Sequence, residues 1–353
     1  MLSTKIIKVD PVNPDDAVIK QAADILRRGG LVVIPTETVY GIAANISNAK
    51  AMQRLSQIKQ RPKDKPFSLI IGKKETIEEY AINIPVGAYK LMDRFWPGPL
   101  TIVLKSKNKD TVGLRMPDND VALRIILESG VPVVCPSANL SGKPAPTDFA
   151  EAIKELNGLV DMAIDAGSAK IAIESTVVDL TVEPPVVLRE GAIKKSLIFE
   201  EAKKKIVLFV CTGNSCRSVM AEALLKQRLE KAGRGDVEVL SAGITMFSGM
   251  GATEATREVL SSEGIDVSRH RSQMVTPEMI KKSDLILVME KLHEQRILQI
   301  APEAKNRVFL LKEFAKIDDN DLNITDPIGG SMELYQQTFS VIKQAVERII
   351  EII

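Results

Sequence analysis

Residues 209–225 read "FVCTGNSCRSVMAEALL" and contain two cysteines and an arginine inside a Gly/Asn/Ser loop. Cys211 and Arg217 are spaced Cys-x5-Arg, with an apolar β-branched run before them and an Ala/Leu-rich run after. Between a strand end and a helix start, successive backbone N–H groups can turn inward and form an anion nest, to which the helix N-terminus adds partial positive charge. The loop residues Thr212, Gly213, Asn214, Ser215 and Cys216 would supply those amides, and Gly213 and Asn214 tolerate the left-handed backbone such a loop needs. The planar guanidinium of Arg217 can bind two phosphoryl oxygens at once. The same positive field favours the thiolate of Cys211, the form that acts as nucleophile.

The bland alternative is a strand-to-helix turn with a buried cysteine, and Cys-x5-Arg alone does not exclude it. The following Ser218, the helix and a second motif favour chemistry. "TDPIGG" places Asp326 in a loop before the last helix. Cleaving a phosphate ester or amide needs an acid for the leaving group, and a loop Asp beside an anion site can be that acid. Standing alone, the motif would read as an Asp-Pro turn.

The elements that must position these groups follow from hydrophobic periodicity. "KIVLFV" reads as a parallel-type strand, residues 217–232 as a helix, and "VEVLSAG", "DLILVME" and "RVFLL" as further strands. "ATEATREVLSSEG", "HEQRILQIA" and "MELYQQTFSVIKQAVERIIEII" read as helices. Alternating β and α predicts a parallel sheet covered on both faces. His270 and His293 fall in no motif and read as surface or structural residues. The chain has 353 residues, long for one core, so two domains are expected, 1–200 and 203–353. "GAIKKSLIFEEAKKK" ends in a charged run and reads as the linker region.

Composition excludes several classes. An apolar fraction of 45% and a charged fraction of 26% are those of an ordinary globular protein. The net charge is +1, divided almost evenly between the halves, so neither half is a basic nucleic-acid patch by composition. No long uncharged apolar run is present, so no membrane partner is expected. The first residues, "MLSTKIIKVDPVNPDD", read as no signal peptide. Three cysteines argue for a reducing compartment, and a cytoplasmic location is expected.

In the first half, "GGLVVIPTETVYGIAA" reads as a strand entering a loop, "NAKAMQRLSQIKQ" and "AYKLMDRFW" as helices, and "PFSLIIG" and "LTIVLK" as strands. "VPVVCPSANLSGKPAPT" reads as a strand running into a loop, and "STVVDL" and "PVVLRE" as short strands. The motifs "PTETVYG", "KQRPKDKP", "RMP", "PSANLSG", "ESTVVDL" and "LREG" are dispersed over this half. Each alone is bland, because hydroxyl-rich loops usually cap or turn and basic stretches usually face solvent. Together they offer cations and hydroxyls in loops at strand ends, where α/β sheets bind ligands. Lys59, Arg61 and Lys65 could hold a polyphosphate, and Ser and Thr hydroxyls could orient a small amino acid.

Two resemblances follow from these motifs. "VCTGNSCRS", "SAGI", "DLILVME" and "DPIGG", in order, resemble the low-molecular-weight protein-tyrosine phosphatase family over residues 205–353. The resemblance implies a phosphotyrosine-phosphatase-I-type domain, a four-stranded parallel sheet flanked by helices, and no cofactor. It implies that Cys211 attacks phosphorus to give a phosphocysteine, that Arg217 and the loop amides hold the equatorial oxygens, and that Asp326 protonates the leaving group and then activates water. Ser218 would hydrogen-bond the thiolate, and Cys216 would trap an oxidised Cys211 as a reversible disulfide. Ser215 and "DPIGGS" resemble the protein-arginine-phosphatase branch, because tyrosine-directed members carry a bulky apolar residue at the first position and aromatics after the Asp-Pro. Phosphoarginine is therefore the favoured phosphoprotein substrate and phosphotyrosine the alternative. Arsenate reductases share the loop but need further cysteines, and none follows Cys216. Val219 stands where the family commonly has Pro; helix position N1 accepts Pro without requiring it, so no loss of activity is expected.

The first-half motifs, taken in order, are similar to the YrdC-like family, the L-threonylcarbamoyl-AMP synthases, across roughly residues 10–195. That implies a twisted open α/β sheet that binds L-threonine, bicarbonate and ATP, with Mg²⁺, and releases pyrophosphate. The product would pass to a downstream tRNA threonylcarbamoyl transferase for modification of adenosine 37, so tRNA is an indirect partner. Lys59 and Arg61 match the pair facing the phosphates; Lys65, Thr111, Asn139 and Arg189 match ATP-contacting positions. Thr38, Arg115, Ser137 and Ser175 match positions around threonine. No resident metal ligand is expected. Longer family members carry a separate C-terminal domain after a linker; here the phosphatase-like half occupies that place, leaving any lid role of the linker open. An RNA-binding module is the alternative for this half, although nine Phe, four Tyr and one Trp give little for base stacking. A phosphoprotein-binding pseudophosphatase is the alternative for the other; intact Cys211, Arg217 and Asp326 argue against it.

Overall fold

The computed structural model describes residues 3–60, 67–108, 110–245 and 248–353. They form two compact units, Met1–Ala202 and Lys203–Ile353, each with its own sheet and core. Among the described residues, no helix is long and apolar enough to cross a membrane.

The first unit is built on strands β1 (Lys5–Lys8), β2 (Val32–Ile34), β3 (Gly41–Asn45), β4 (Leu69–Ile70), β5 (Leu100–Lys105), β6 (Thr111–Arg115), β7 (Val133–Val134), β8 (Met162–Asp165), β9 (Thr176–Asp179) and β10 (Val186–Arg189). They join in the order β1-β8-β2-β3-β7-β4-β6-β5-β9-β10. The sheet is mixed: β2 and β3 are antiparallel, as are β5 and β6, whereas β5 and β9 are parallel. The period-two alternation of a strand sorts the side chains between two faces. Val32, Ile34 and Ala43 meet helices Asp16–Arg27 and Asp120–Ser129 on one face, and Val33, Ile42 and Ala44 meet helices Ala49–Lys59 and Val86–Phe95 on the other. Asp15, Asn48, Asn119 and Asp148 cap the helices that follow them by accepting from first-turn amides.

Two sequence expectations change here. The stretch expected to be one strand entering a loop carries a second strand, β3, that folds back on β2. The charged run at 195–203, expected as linker, is a helix, Lys195–Lys203, whose Ile198 is buried in the first unit's core. One apolar side chain at the right register outweighs the charge of its neighbours.

The second unit has the expected four-stranded parallel sheet: β11 (Lys205–Cys211), β12 (Val237–Gly243), β13 (Leu285–Val288) and β14 (Val308–Leu310), in the order β12-β11-β13-β14. Val207, Phe209 and Cys211 face the cluster that holds helices Arg217–Lys231 and Met332–Ile349. Leu208 and Val210 face the opposite cluster, with Ile297 of helix Lys291–Ile300. The chain leaves β11 to one side for β12 and returns to its other side for β13. The carboxyl end of β11 is therefore a topological switch point, where an open α/β sheet leaves a crevice. Cys211 is the last residue of that strand.

Candidate functional sites

The loop after Cys211 is held by its carbonyls. Ile244 N–H donates to Cys211 O at 3.0 Å, Thr245 N–H to Thr212 O at 3.1 Å and Thr253 N–H to Ser215 O at 3.1 Å, while His270 Nε2 lies 2.8 Å from Asn214 O. The N–H groups of Gly213 through Arg217 find no acceptor in the chain among the described residues. Carbonyls occupied by the surrounding chain with amides left unpaired are what an anion nest requires. Asn214 takes the left-handed conformation, φ 53°, and is fully buried. Its Nδ2 donates to Ser218 Oγ at 3.0 Å and Ser241 Oγ at 2.7 Å, and its Oδ1 accepts from Gln273 N–H at 2.9 Å. A Cβ on Gly243 would lie 2.7 Å from Thr212 O and 2.9 Å from Asn214 N, so only glycine lets β12 approach the loop this closely.

Within the loop, Cys211 Sγ lies 3.0 Å from Ser218 Oγ. Cys216 Sγ is 3.5 Å from Tyr335 Oη and Thr253 Oγ1, and 3.6 Å from Ser215 Oγ. Burial raises the Tyr335 phenol above its ordinary value. Arg217 opens its helix and is buried. It donates through Nη2 to Asp326 and, at 3.1 Å, to Thr212 Oγ1, and through Nη1 to Glu290 and, at 2.8 Å, to Ile324 O. Its Nε is buried and has no acceptor among the described residues. The three groups expected to carry the chemistry, Cys211, Arg217 and Asp326, thus share one constellation.

Three participants were missed at the sequence level. Glu290 caps helix Lys291–Ile300 and pairs with Arg217. His293, expected to be surface or structural, is fully buried; its Nδ1 accepts from Glu290 N–H at 3.1 Å and its Nε2 lies 3.0 Å from Thr212 Oγ1. Burial first, and the Arg217 charge second, lower its imidazole to about 4. His270 touches the loop through Asn214 O. A helix-start Glu followed three residues later by a side chain that can accept from it was the available signal for Glu290 and His293; His270 had none.

In the first unit the motifs come together along one series of contacts. Lys59 Nζ donates at 2.8 Å to Ser137 O, Asn139 O and Asn139 Oδ1. The Ser137 loop lies against Gly41, at the end of the "PTETVYG" loop. There Arg115 Nη2 donates to Thr38 Oγ1 at 2.8 Å and to Glu37 Oε1 at 2.7 Å, and Arg115 Nε to Gly98 O at 3.2 Å. One residue beyond Gly98, Pro99 O accepts from Thr176 N–H, which sets Ser175 beside this group. Ser175 Oγ is 3.0 Å from Thr101 Oγ1 and accepts from Arg189 Nη2 at 3.1 Å. Tyr40, buried with its phenol raised to about 12 chiefly by desolvation, donates to Gly167 O at 2.7 Å and anchors the motif loop.

Glu37 was overlooked at the sequence level, although it lies inside a quoted motif. Its carboxylate is buried against Arg115, and its Oε2 has no partner among the described residues. Thr111 stands apart. It opens β6 opposite Lys105, four residues or about 13 Å along the strand from Arg115. Arg61 and Lys65 lie outside the described residues. Also among the described residues, no cluster of three His, Cys, Asp or Glu side chains could hold a metal ion.

Comparison with known proteins covers both units. A family model for Sua5, YciO and YrdC proteins, described as telomere recombination, matches residues 24–191. A model described as low molecular weight phosphotyrosine protein phosphatase matches residues 206–353. The chain is 43% identical over 197 residues to a threonylcarbamoyl-AMP synthase of Pyrococcus abyssi, spanning 53% of this chain and 57% of the relative. It is 37% identical over 203 residues to a putative threonylcarbamoyl-AMP synthase of Methanocaldococcus jannaschii, spanning 54% of this chain and 95% of the relative. The chain thus covers little more than half the length of the first of these. Among solved structures it is similar to P. abyssi Sua5 complexed with L-threonine, with TM-score 0.54 and 28% identity, over 87% of this chain and 99% of that one. It is also similar to the YwlE arginine phosphatase of Geobacillus stearothermophilus, with TM-score 0.38 and 37% identity, over 42% of this chain and 91% of that one.

Proposed function

Because the chain belongs to the Sua5/YciO/YrdC family over residues 24–191 and carries a low-molecular-weight phosphatase domain over residues 206–353, we propose that it is a bifunctional enzyme with domains 1–200 and 203–353. The first domain makes L-threonylcarbamoyladenylate and pyrophosphate from L-threonine, bicarbonate and ATP, for threonylcarbamoylation of tRNA by a downstream transferase. The second hydrolyses a phosphoprotein through a phosphocysteine. Three free cysteines suit a reducing, cytoplasmic setting.

In the synthase domain, threonine's amine captures CO2 or bicarbonate as a carbamate. A carbamate oxygen attacks the α-phosphorus of ATP and pyrophosphate leaves. Lys59, at the Ser137–Asn139 loop, and Arg189, beside Ser175, stabilise charge on the phosphates; Arg61 and Lys65 are assigned to the same task. Thr38, Arg115, Ser137 and Ser175 orient threonine. Mg²⁺ arrives as part of the Mg·ATP substrate, the usual mode for this ion at phosphate sites.

In the phosphatase domain, the Cys211 thiolate attacks phosphorus and the bond to the leaving group breaks. Asp326 gives that group its proton. The Asp326 carboxylate then takes a proton from water, whose oxygen attacks the phosphocysteine and releases inorganic phosphate and the thiolate. The unpaired amides of Gly213 through Arg217 and the guanidinium hold the phosphoryl oxygens. The observation that carries this reading is the convergence of Cys211, Arg217 and Asp326 on a loop whose carbonyls are occupied by the surrounding chain.

Phosphoarginine is the favoured substrate. Ser215 is small, half-buried and hydroxylated, and 326–331 carries no aromatic side chain to sandwich a phenol. The test compares hydrolysis of a phosphoarginine protein and a phosphotyrosine peptide, with Cys211→Ser as control, alongside pyrophosphate release from ATP dependent on threonine and bicarbonate. Preference for phosphotyrosine would overturn the arginine assignment. Pyrophosphate release absent at saturating substrates would overturn the synthase one.

A further inference from the structure

Resting on the phosphatase reading, we propose that the capping box of Glu290 and His293 is the positioning device for Arg217, acting through the hydroxyl of Thr212. The four residues form a closed circuit of hydrogen bonds. Glu290 N–H donates to His293 Nδ1 at 3.1 Å, and the Glu290 side chain accepts from the backbone of His293. With Nδ1 occupied as an acceptor, neutral His293 carries its proton on Nε2, which donates to Thr212 Oγ1 at 3.0 Å. Arg217 Nη2 donates to the same hydroxyl at 3.1 Å, and Arg217 Nη1 to the Glu290 carboxylate. One helix start therefore fixes both terminal nitrogens of the guanidinium, one through a carboxylate and one through a hydroxyl. A planar donor that must meet two phosphoryl oxygens gains from that restraint, because its orientation is set before the anion arrives.

The circuit keeps its polarity at neutral pH. Arg217 faces the ring and opposes its protonation, while Glu290 and Asp326 favour it; burial and Arg217 prevail and hold the imidazole at about 4. His293 thus stays a donor at Nε2 and an acceptor at Nδ1 wherever a thiolate enzyme works.

A helix cap and an arginine positioner make different demands on His293, and two substitutions separate them. Asn at 293 can still accept from Glu290 N–H but is too short to reach Thr212. Gln carries an N–H donor near the place of the imidazole Nε2. The expected result for His293→Asn is a thermal midpoint close to wild type, with kcat/KM for para-nitrophenyl phosphate lowered about tenfold and the inhibition constant of inorganic phosphate raised about as much, the scale of one hydrogen bond to a charged group's anchor. His293→Gln recovers most of both. Thr212→Val gives the same loss, and the double variant His293→Asn/Thr212→Val loses no more than either single one, since both break one circuit. Wild-type kinetics in His293→Asn, or losses that multiply in the double variant, would overturn the proposal. Calorimetric binding of inorganic phosphate to the same variants reads the circuit without turnover, so a failure of the phosphatase reading remains distinguishable from a failure of this one.

Discussion

Cys211 Sγ and Ser218 Oγ face each other at 3.0 Å across the loop, and Asn214 Nδ2 donates to the same hydroxyl at 3.0 Å. With Asn214 as donor, the Ser218 proton is free to point at sulfur. Ser218→Ala is expected to lower kcat/KM about tenfold by removing a hydrogen bond to the thiolate. Steady-state kinetics with para-nitrophenyl phosphate measure this, and an unchanged value would remove Ser218 from the mechanism.

Asp326→Asn is expected to reduce kcat/KM, which reports steps only up to phosphocysteine formation, by about 10²-fold or more on phosphoarginine, whose leaving group must be protonated. The loss should be smaller on para-nitrophenyl phosphate, whose leaving group departs as an anion. Equal losses on both substrates would mean that Asp326 acts by holding Arg217 and not as an acid.

Lys59 Nζ ties Ser137 and Asn139 into one loop with three contacts of 2.8 Å. Lys59→Met removes that tie and the cation assigned above to the phosphates. Pyrophosphate release is expected to fall about 10²-fold, with the fold intact by circular dichroism. Retention of activity would exclude Lys59 from the ATP site.

Glu37→Ala leaves the Arg115 guanidinium without its buried counter-charge, which costs about 3 kcal/mol of stability. It also frees Arg115 to move, so the KM for L-threonine should rise. Urea unfolding and threonine titration check the two effects separately.

His293 makes stability depend on pH. Its ordinary value is 6.5 and its folded value about 4. Between these values the unfolded chain binds a proton that the folded chain does not, so stability is full above about pH 6.5 and falls as pH drops toward 4. The largest loss from this group is about 3 kcal/mol. Urea midpoints at pH 4.5 and 7 should differ for the wild type and differ less for His293→Gln.

The sequence by itself determined the candidate groups for the chemistry of the second unit. Cys211, Arg217 and Asp326 were legible because a nucleophile, a bidentate cation and an acid recur in loops whose flanking runs mark a strand and a helix. The four-stranded parallel sheet was legible because its strands alternate with helices of clear periodicity. Tertiary structure alone decided what surrounds those groups. Glu290, His293 and His270 reach the loop from distant segments, and a side chain's partner across tens of residues leaves no periodic trace. The same holds for Glu37, which only a buried contact with Arg115 identifies, and for Thr111, which matched an ATP-contacting position of the family but lies along β6 from the rest. The helix Lys195–Lys203 reads as charged linker until Ile198 finds a core to enter. Residue type and local spacing specify what a group can do; burial and partners, which exist only once the chain has closed on itself, specify its protonation and orientation.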